Sequence, residues 1–186
     1  LVPESLTQAL AKIPMERVGA VVPIPEGENV RVHTGQIKMS GEALAHPKNE
    51  KDVLVVVGQL MITSPVENVG YKGLVVIGQI LAPKGSEDAL GTGISRLTGQ
   101  TVYYPENARF FIGEDRFGKA FFEFLEGPMT MVLVGEFTIE PDVPIDLLRE
   151  KVSEITLLGE LKVSKEMVPL LQVLTTEKYG EILVKG

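Results

Sequence analysis

Cysteine and tryptophan are absent from the 186-residue chain, and histidine occurs only as His33 and His46. Without cysteine there is no disulfide, no thiolate nucleophile and no cysteine-based metal site, and the redox compartment is left open. A histidine acting as general base needs a carboxylate behind it and a nucleophile in front. Neither His33, beside a glycine corner, nor His46, before Pro47, stands in such a pattern, and both read as surface or turn residues. Long apolar runs are also lacking. The stretch VLVVV at 53–57 is far too short to cross a bilayer, so no membrane span is expected. Positive charge is scarce: 18 Lys and Arg against 25 Asp and Glu leave a net charge of −7 with no basic cluster. That balance argues against nucleic acid as a partner and favours solubility. No P-loop, nucleophile elbow or metal-ligand spacing occurs, so no catalytic residue, cofactor or metal is expected. The glycines of GTGISRLTG, from Gly91, lack the spacing of a dinucleotide site and read as a turn. The first residues do not form a signal-peptide pattern. Leu1 in place of Met leaves room for an upstream leader or domain, and a cytoplasmic location is the default expectation.

Glycine, by contrast, is abundant and placed with regularity. The pattern apolar-Gly-Gln/Glu-apolar-x-apolar recurs as ERVGAVVP, VHTGQIKM, VVVGQLMI, VVIGQILA, RLTGQTVY, FFIGEDRF, VLVGEFTI, TLLGELKV and EKYGEILV. The anchoring residues are Gly19, Gly35, Gly58, Gly78, Gly99, Gly113, Gly135, Gly159 and Gly180, at intervals of about twenty residues. Solid apolar runs before the glycine predict strands buried on both faces, as in parallel sheets, whereas alternation after it predicts one buried face. Each unit then supplies two short strands meeting at a glycine corner, where the chain turns and backbones approach closely. Proline or serine follows several copies and stops the strand. Three stretches, VPESLTQALAKI, VPIDLLREKVSEI and VPLLQVLTTEKY, read as short helices with Pro in the first turn.

The expected fold is therefore an α/β repeat solenoid: one domain over 1–186, of about nine units of roughly twenty residues, with stacked parallel short strands, a glycine corner per unit and short helices in some units. A leucine-rich-repeat-like horseshoe is the alternative, although its asparagine-containing consensus is absent. In outline the chain resembles uncharacterised bacterial repeat proteins bearing V-x-G-x-L units. That resemblance extends along the chain and implies no function.

Two features bear on function. The residue after the glycine is Gln36, Gln59, Gln79 and Gln100, then Glu114, Glu136, Glu160 and Glu181. In stacked strands the amides can hydrogen-bond along a ladder, while the carboxylates must be hydrated, splayed, bridged by a cation or neutralised by lysines such as Lys162 and Lys178. The second is YYPENARFFIGEDRFGKAFFEF at 103–124, which holds eight of the chain's aromatics beside Arg109 and Arg116. A helix over about 115–125 would bury Phe117, Phe121 and Phe124 on one stripe and leave Phe122 off it. Tyr103, Tyr104, Arg109 and Phe122 are accordingly the candidate partner-binding or oligomer-interface residues.

The leading expectation is a non-enzymatic structural or scaffold protein whose partner is itself, associating through solenoid ends or the aromatic region. A repeat module binding another protein, a peptide or a glycan is the second reading. The third is a carboxylate-dependent enzyme of parallel β-helix type using Glu114 and Asp115, weakened because neighbouring strand residues point to opposite faces.

Overall fold

The computed structural model describes residues 2–10, 12, 21, 23–24 and 29–185. Gly19, and with it the first copy of the repeat, lies outside the described residues. Contacts divide the chain into two compact units, Leu1–Thr101 and Val102–Gly186.

The first unit opens on β1 (Val2–Pro3), a 3₁₀ turn and α1 (Thr7–Leu10), with β1 paired parallel to β2 (Pro23–Ile24). Its main sheet has the order β3 (Asn29–Met39), β4 (Asp52–Ile62), β5 (Gly73–Pro83), β6 (Ile94–Tyr104), and the division between the units falls within β6. Helix α2 (Gly41–Ala45) follows β3 and α3 (Glu87–Gly93) follows β5. Ser40 caps α2 by accepting a hydrogen bond from the Ala43 amide at 3.0 Å. The apolar runs of β4 and β5 are buried on both faces: Val53, Leu54, Val55 and Val56 are at most 2% exposed, which is the behaviour of parallel strands covered from either side.

The second unit holds β7 (Arg109–Phe117), β8 (Met129–Ile139), β9 (Val152–Val163), β10 (Thr175–Lys178) and β11 (Glu181–Val184), with α4 (Lys119–Glu123), α5 (Ile145–Lys151) and α6 (Val168–Leu174) between them. Strands β7, β8 and β9 pair parallel in sequence, and β10 and β11 both pair parallel with β9. Its core gathers Phe117, Phe122, Met131, Leu133, Phe137, Ile155, Leu157 and Leu161, with Leu148 pushed in from α5 and Leu171 from α6. Pro144 at the N-cap of α5 and Pro169 in the first turn of α6 occupy places where a missing N–H costs nothing. Among the described residues no helix is long and apolar enough to cross a membrane.

The repeat glycines stand opposite one another within each sheet. Gly35 pairs with Gly58 and Gly58 with Gly78, and likewise Gly113 with Gly135 and Gly135 with Gly159. Two constraints meet at Gly58. Its φ of +133° lies where L side chains are strained, and a Cβ there would stand 2.2 Å from the Gly35 carbonyl oxygen. The corner differs from expectation in one respect. The parallel ladder continues through the glycine, so β4, β7 and β9 are each a single strand of nine to twelve residues rather than two short ones. Alternation after the glycine holds in β8 and β9, where Phe137 and Ile139, then Leu161 and Val163, are buried. In β4 the residues after the glycine corner, Leu60, Met61 and Ile62, are all buried, so both faces stay covered.

Candidate functional site

Glycine register carries the following residue into register too, because a parallel ladder without slippage keeps equivalent side chains on one line. In the first unit Gln36, Gln59 and Gln79 stand opposite one another. Gln36 Nε2 donates to Gln59 Oε1, and Gln59 Nε2 donates to Gln79 Oε1 at 3.3 Å, forming the expected amide ladder.

In the second unit the same line is acidic: Glu114, Glu136, Glu160 and Glu181 are successive register partners. Lys162 Nζ lies 3.0 Å from Glu136 Oε2 and 3.3 Å from Glu160 Oε2, so one ammonium spans two carboxylates. The hydrogen bond to Glu136, then that to Glu160, holds the Lys162 pKa above its ordinary value. Lysine neutralisation, one of the four ways of relieving the row, is thus realised by Lys162. A shallow groove of about 440 Å³ opens beside it, lined by Glu114, Asp115, Arg116, Glu136, Phe137, Thr138 and Lys162. Asp115 stands in register with Phe137 of β8, which in turn faces Leu161 of β9, so a short polar side chain replaces an apolar one where the groove opens. Among the described residues no three His, Asp or Glu side chains converge as a metal site. The contacts seen in the row are charge pairs made by Lys162.

The aromatic stretch folds differently from the predicted helix. Residues 115–117 belong to β7, and the helix is the short α4. The stripe is therefore broken. Phe117 is buried, Phe121 half-buried and Phe124 86% exposed, while Phe122, the residue placed off the stripe, is fully buried. Phe122 packs within the second unit's core, its ring 5.1 Å from Phe121 and 6.4 Å from Phe117. Tyr104 is 2% exposed and sits edge-on to Phe110 at 4.7 Å, and burial pushes its hydroxyl pKa up to about 12. Phe122 and Tyr104 are thus core residues, and for Phe122 the reason is that a five-residue helix points a different side chain inward from an eleven-residue one. Tyr103 is half-buried. Arg109 is exposed, its guanidinium 5.3 Å from the Phe111 ring centroid.

One polar cluster has no counterpart in the sequence pattern. Asp52, at the start of β4, is fully buried. Its Oδ1 accepts from Asn29 Nδ2 at 2.6 Å and Asn49 Nδ2 at 2.9 Å, and Oδ2 faces Arg31 Nε at 2.5 Å as a charge contact outside hydrogen-bonding geometry. The nearby Tyr71 hydroxyl has a raised pKa, through burial first, with Arg31 opposing and Asp52 adding to it. The arrangement ties β3 to β4 at their entry. A charge immediately before an all-apolar run is the one available signal, but two of its partners lie more than twenty residues away.

The outer edge of β10 and β11, opposite the edge that pairs with β9, carries no strand among the described residues. Val184 on it is 56% exposed. Lys185 fastens its end, donating its amide to Val163 O at 2.8 Å and its ammonium to Glu140 Oε2 at 2.9 Å. Compared with protein-family models, with curated proteins and with solved structures, the chain has no match in any of the three.

Proposed function

We propose that this chain is a non-enzymatic structural protein, an α/β array of solenoid type whose units carry one strand and, in several cases, one short helix, and that it associates with further copies of itself through exposed strand edges. One observation carries the reading: the pairs β3–β4, β4–β5, β7–β8 and β8–β9 all follow one rule, parallel with glycine opposite glycine and amide or carboxylate opposite its like. A rule that repeats is satisfied equally well by a strand from another molecule, and an unpaired edge is a template for it. The acidic row supports a structural part over a catalytic one, because Glu136 and Glu160 are both engaged by Lys162. The aromatic region gives self-association less support, with Tyr104 and Phe122 in the core. Sedimentation velocity over a wide concentration range tests the reading. Concentration-dependent species larger than the monomer are expected, and a monomer at every concentration overturns it.

A second reading, a protein-binding module, is favoured by Phe124, 86% exposed at the C-terminal end of α4. It predicts that Phe124→Ser abolishes capture of a heterologous protein while leaving the melting midpoint unchanged.

A further inference from the structure

Strand β11 and the residue after it carry a short sequence that is its own complement. From Glu181 through Ile182, Leu183 and Val184 to Lys185 it runs from an acid through three apolar residues to a base, so reversing it about Leu183 sets acid on base and apolar on apolar. The strand pairs with β9 along one edge, and within the second unit Gly186 alone lies outside the described residues. Backbone direction fixes what the other edge offers. The Lys185 amide donates inward to Val163 O at 2.8 Å, so strand alternation turns the N–H and C=O groups of Ile182 and Val184 outward. No strand among the described residues takes them. Val184 is 56% exposed, and Glu181 is exposed with no ion pair among the described residues.

Resting on the self-association reading, and on its exposed edge rather than on the glycine register, we infer that β11 of one copy pairs antiparallel with β11 of a second copy across a two-fold axis at Leu183. Ile182 of each copy then exchanges both backbone hydrogen bonds with Val184 of the other, so the outward donors of both residues are taken up. The two Leu183 side chains meet at the axis. Glu181 of each copy stands opposite Lys185 of the other, whose ammonium has donors to spare beyond the one given to Glu140 at 2.9 Å. Ile182 packs against the second unit's core, and the exposed Val184 of the other copy comes to lie beside it on the same face. Neighbouring registers fit less well. Centred on 181, the two Glu181 carboxylates meet; centred on 182, Glu181 faces Leu183; centred on 184, Lys185 faces Leu183. A two-fold contact uses the same patch on both copies, so the assembly closes at a dimer.

The absence of native cysteine lets cross-linking read the register. Directly opposite, non-hydrogen-bonded antiparallel residues stand about 4.5 Å apart at Cα, within reach of a disulfide. Leu183→Cys is therefore expected to give a covalent dimer on oxidation with diamide, and so is an equal mixture of Glu181→Cys and Lys185→Cys. Either of the last two variants alone is expected to give none, because like positions then lie about 14 Å apart along the junction. Val184→Pro gives an independent test, since it removes an outward donor and leaves the bonds to β9 in place. It is expected to raise the dimer dissociation constant about tenfold or more in sedimentation without changing the far-ultraviolet circular dichroism. A parent that associates overturns this interface, and leaves self-association standing, if neither Leu183→Cys nor the mixture cross-links, if Glu181→Cys alone links as readily as Leu183→Cys, or if folded Val184→Pro associates as the parent does. A parent chain that stays monomeric at every concentration overturns both. Should Val184→Pro fail to fold, the cross-links alone decide.

Discussion

Gly58 and Phe122 show how differently two single residues can be read in advance. At Gly58 the backbone angle and the neighbouring Gly35 carbonyl both forbid a side chain. Gly58→Val is therefore expected to destabilise the chain by at least about 2 kcal/mol, the strain of a β-branched residue at positive φ alone being of order 1–3 kcal/mol, as a loss of urea midpoint will register. Helical periodicity puts Phe122 on a surface, but it is fully buried among Phe117 and Phe121. Phe122→Ala should cost about 3–5 kcal/mol, the range for truncating a buried aromatic, and act on folding with no separate effect on assembly. An unchanged unfolding midpoint with dissolved assemblies would return Phe122 to the surface. At Asp52, substitution by Ala leaves Asn29 and Asn49 without their acceptor and Arg31 without its counter-charge. A loss of about 2 kcal/mol is expected by the same measurement, in line with hydrogen bonds to a charged group.

At the scale of the element, the fastening of β11 makes a pH-dependent statement. The Glu140 pKa is held below its ordinary value, first by the hydrogen bond from Lys185 and further by the Lys185 and Arg116 charges. A lowered carboxylate pKa contributes stability that is present above the unfolded value, about 4.3, and is lost as pH falls through the lower folded value. Hydrogen-exchange protection of the Lys185 amide, corrected for the intrinsic rate, should therefore fall in acid in the parent. In Lys185→Ala the protection should be lower at neutral pH and change less on acidification. Lys162 has the opposite sign. Its pKa is raised by Glu136 and Glu160, so its contribution is full below the ordinary lysine value of about 10.4 and disappears as pH rises through the raised one. Both groups face solvent, so these are local effects that salt will weaken.

For the whole molecule, net charge sets the background against which any assembly occurs. A formal charge of −7 and a sequence pI near 5.0 keep copies apart at neutral pH. Light scattering at fixed protein concentration should rise as pH is lowered from 8 towards 5. Scattering that is flat across this range would argue that copies do not approach one another at all. The division into two compact units also belongs to this scale, and it falls inside the shortest glycine interval, the 14 residues from Gly99 to Gly113.

The parallel strands, the register and the starts of α5 and α6 are legible from residue order, because each depends on local chemistry: β-branched runs, glycine at a position that no other residue fits, and proline's fixed φ. The helix ends are not, since the later residues of those two stretches join β9 and β10, and Pro3 of the first stretch stands in β1. The amide ladder is legible too, since register alone brings Gln59 to Gln36 and Glu136 to Glu160, whereas the use of Lys162, one of four ways of relieving the carboxylates, is settled by packing. Packing, in contrast, settles where α4 begins, and with it which phenylalanines are buried. Neighbouring helical residues differ by about 100° in direction, so once 115–117 join β7 the short helix is free to turn Phe122 rather than Phe124 to the core. The Asp52 cluster was likewise beyond reach, because Asn29 and Arg31 reach Asp52 only once β3 lies beside β4. Pattern along the chain specifies which strands are alike, whereas burial depends on which surfaces meet, and that is a property of the packed molecule alone.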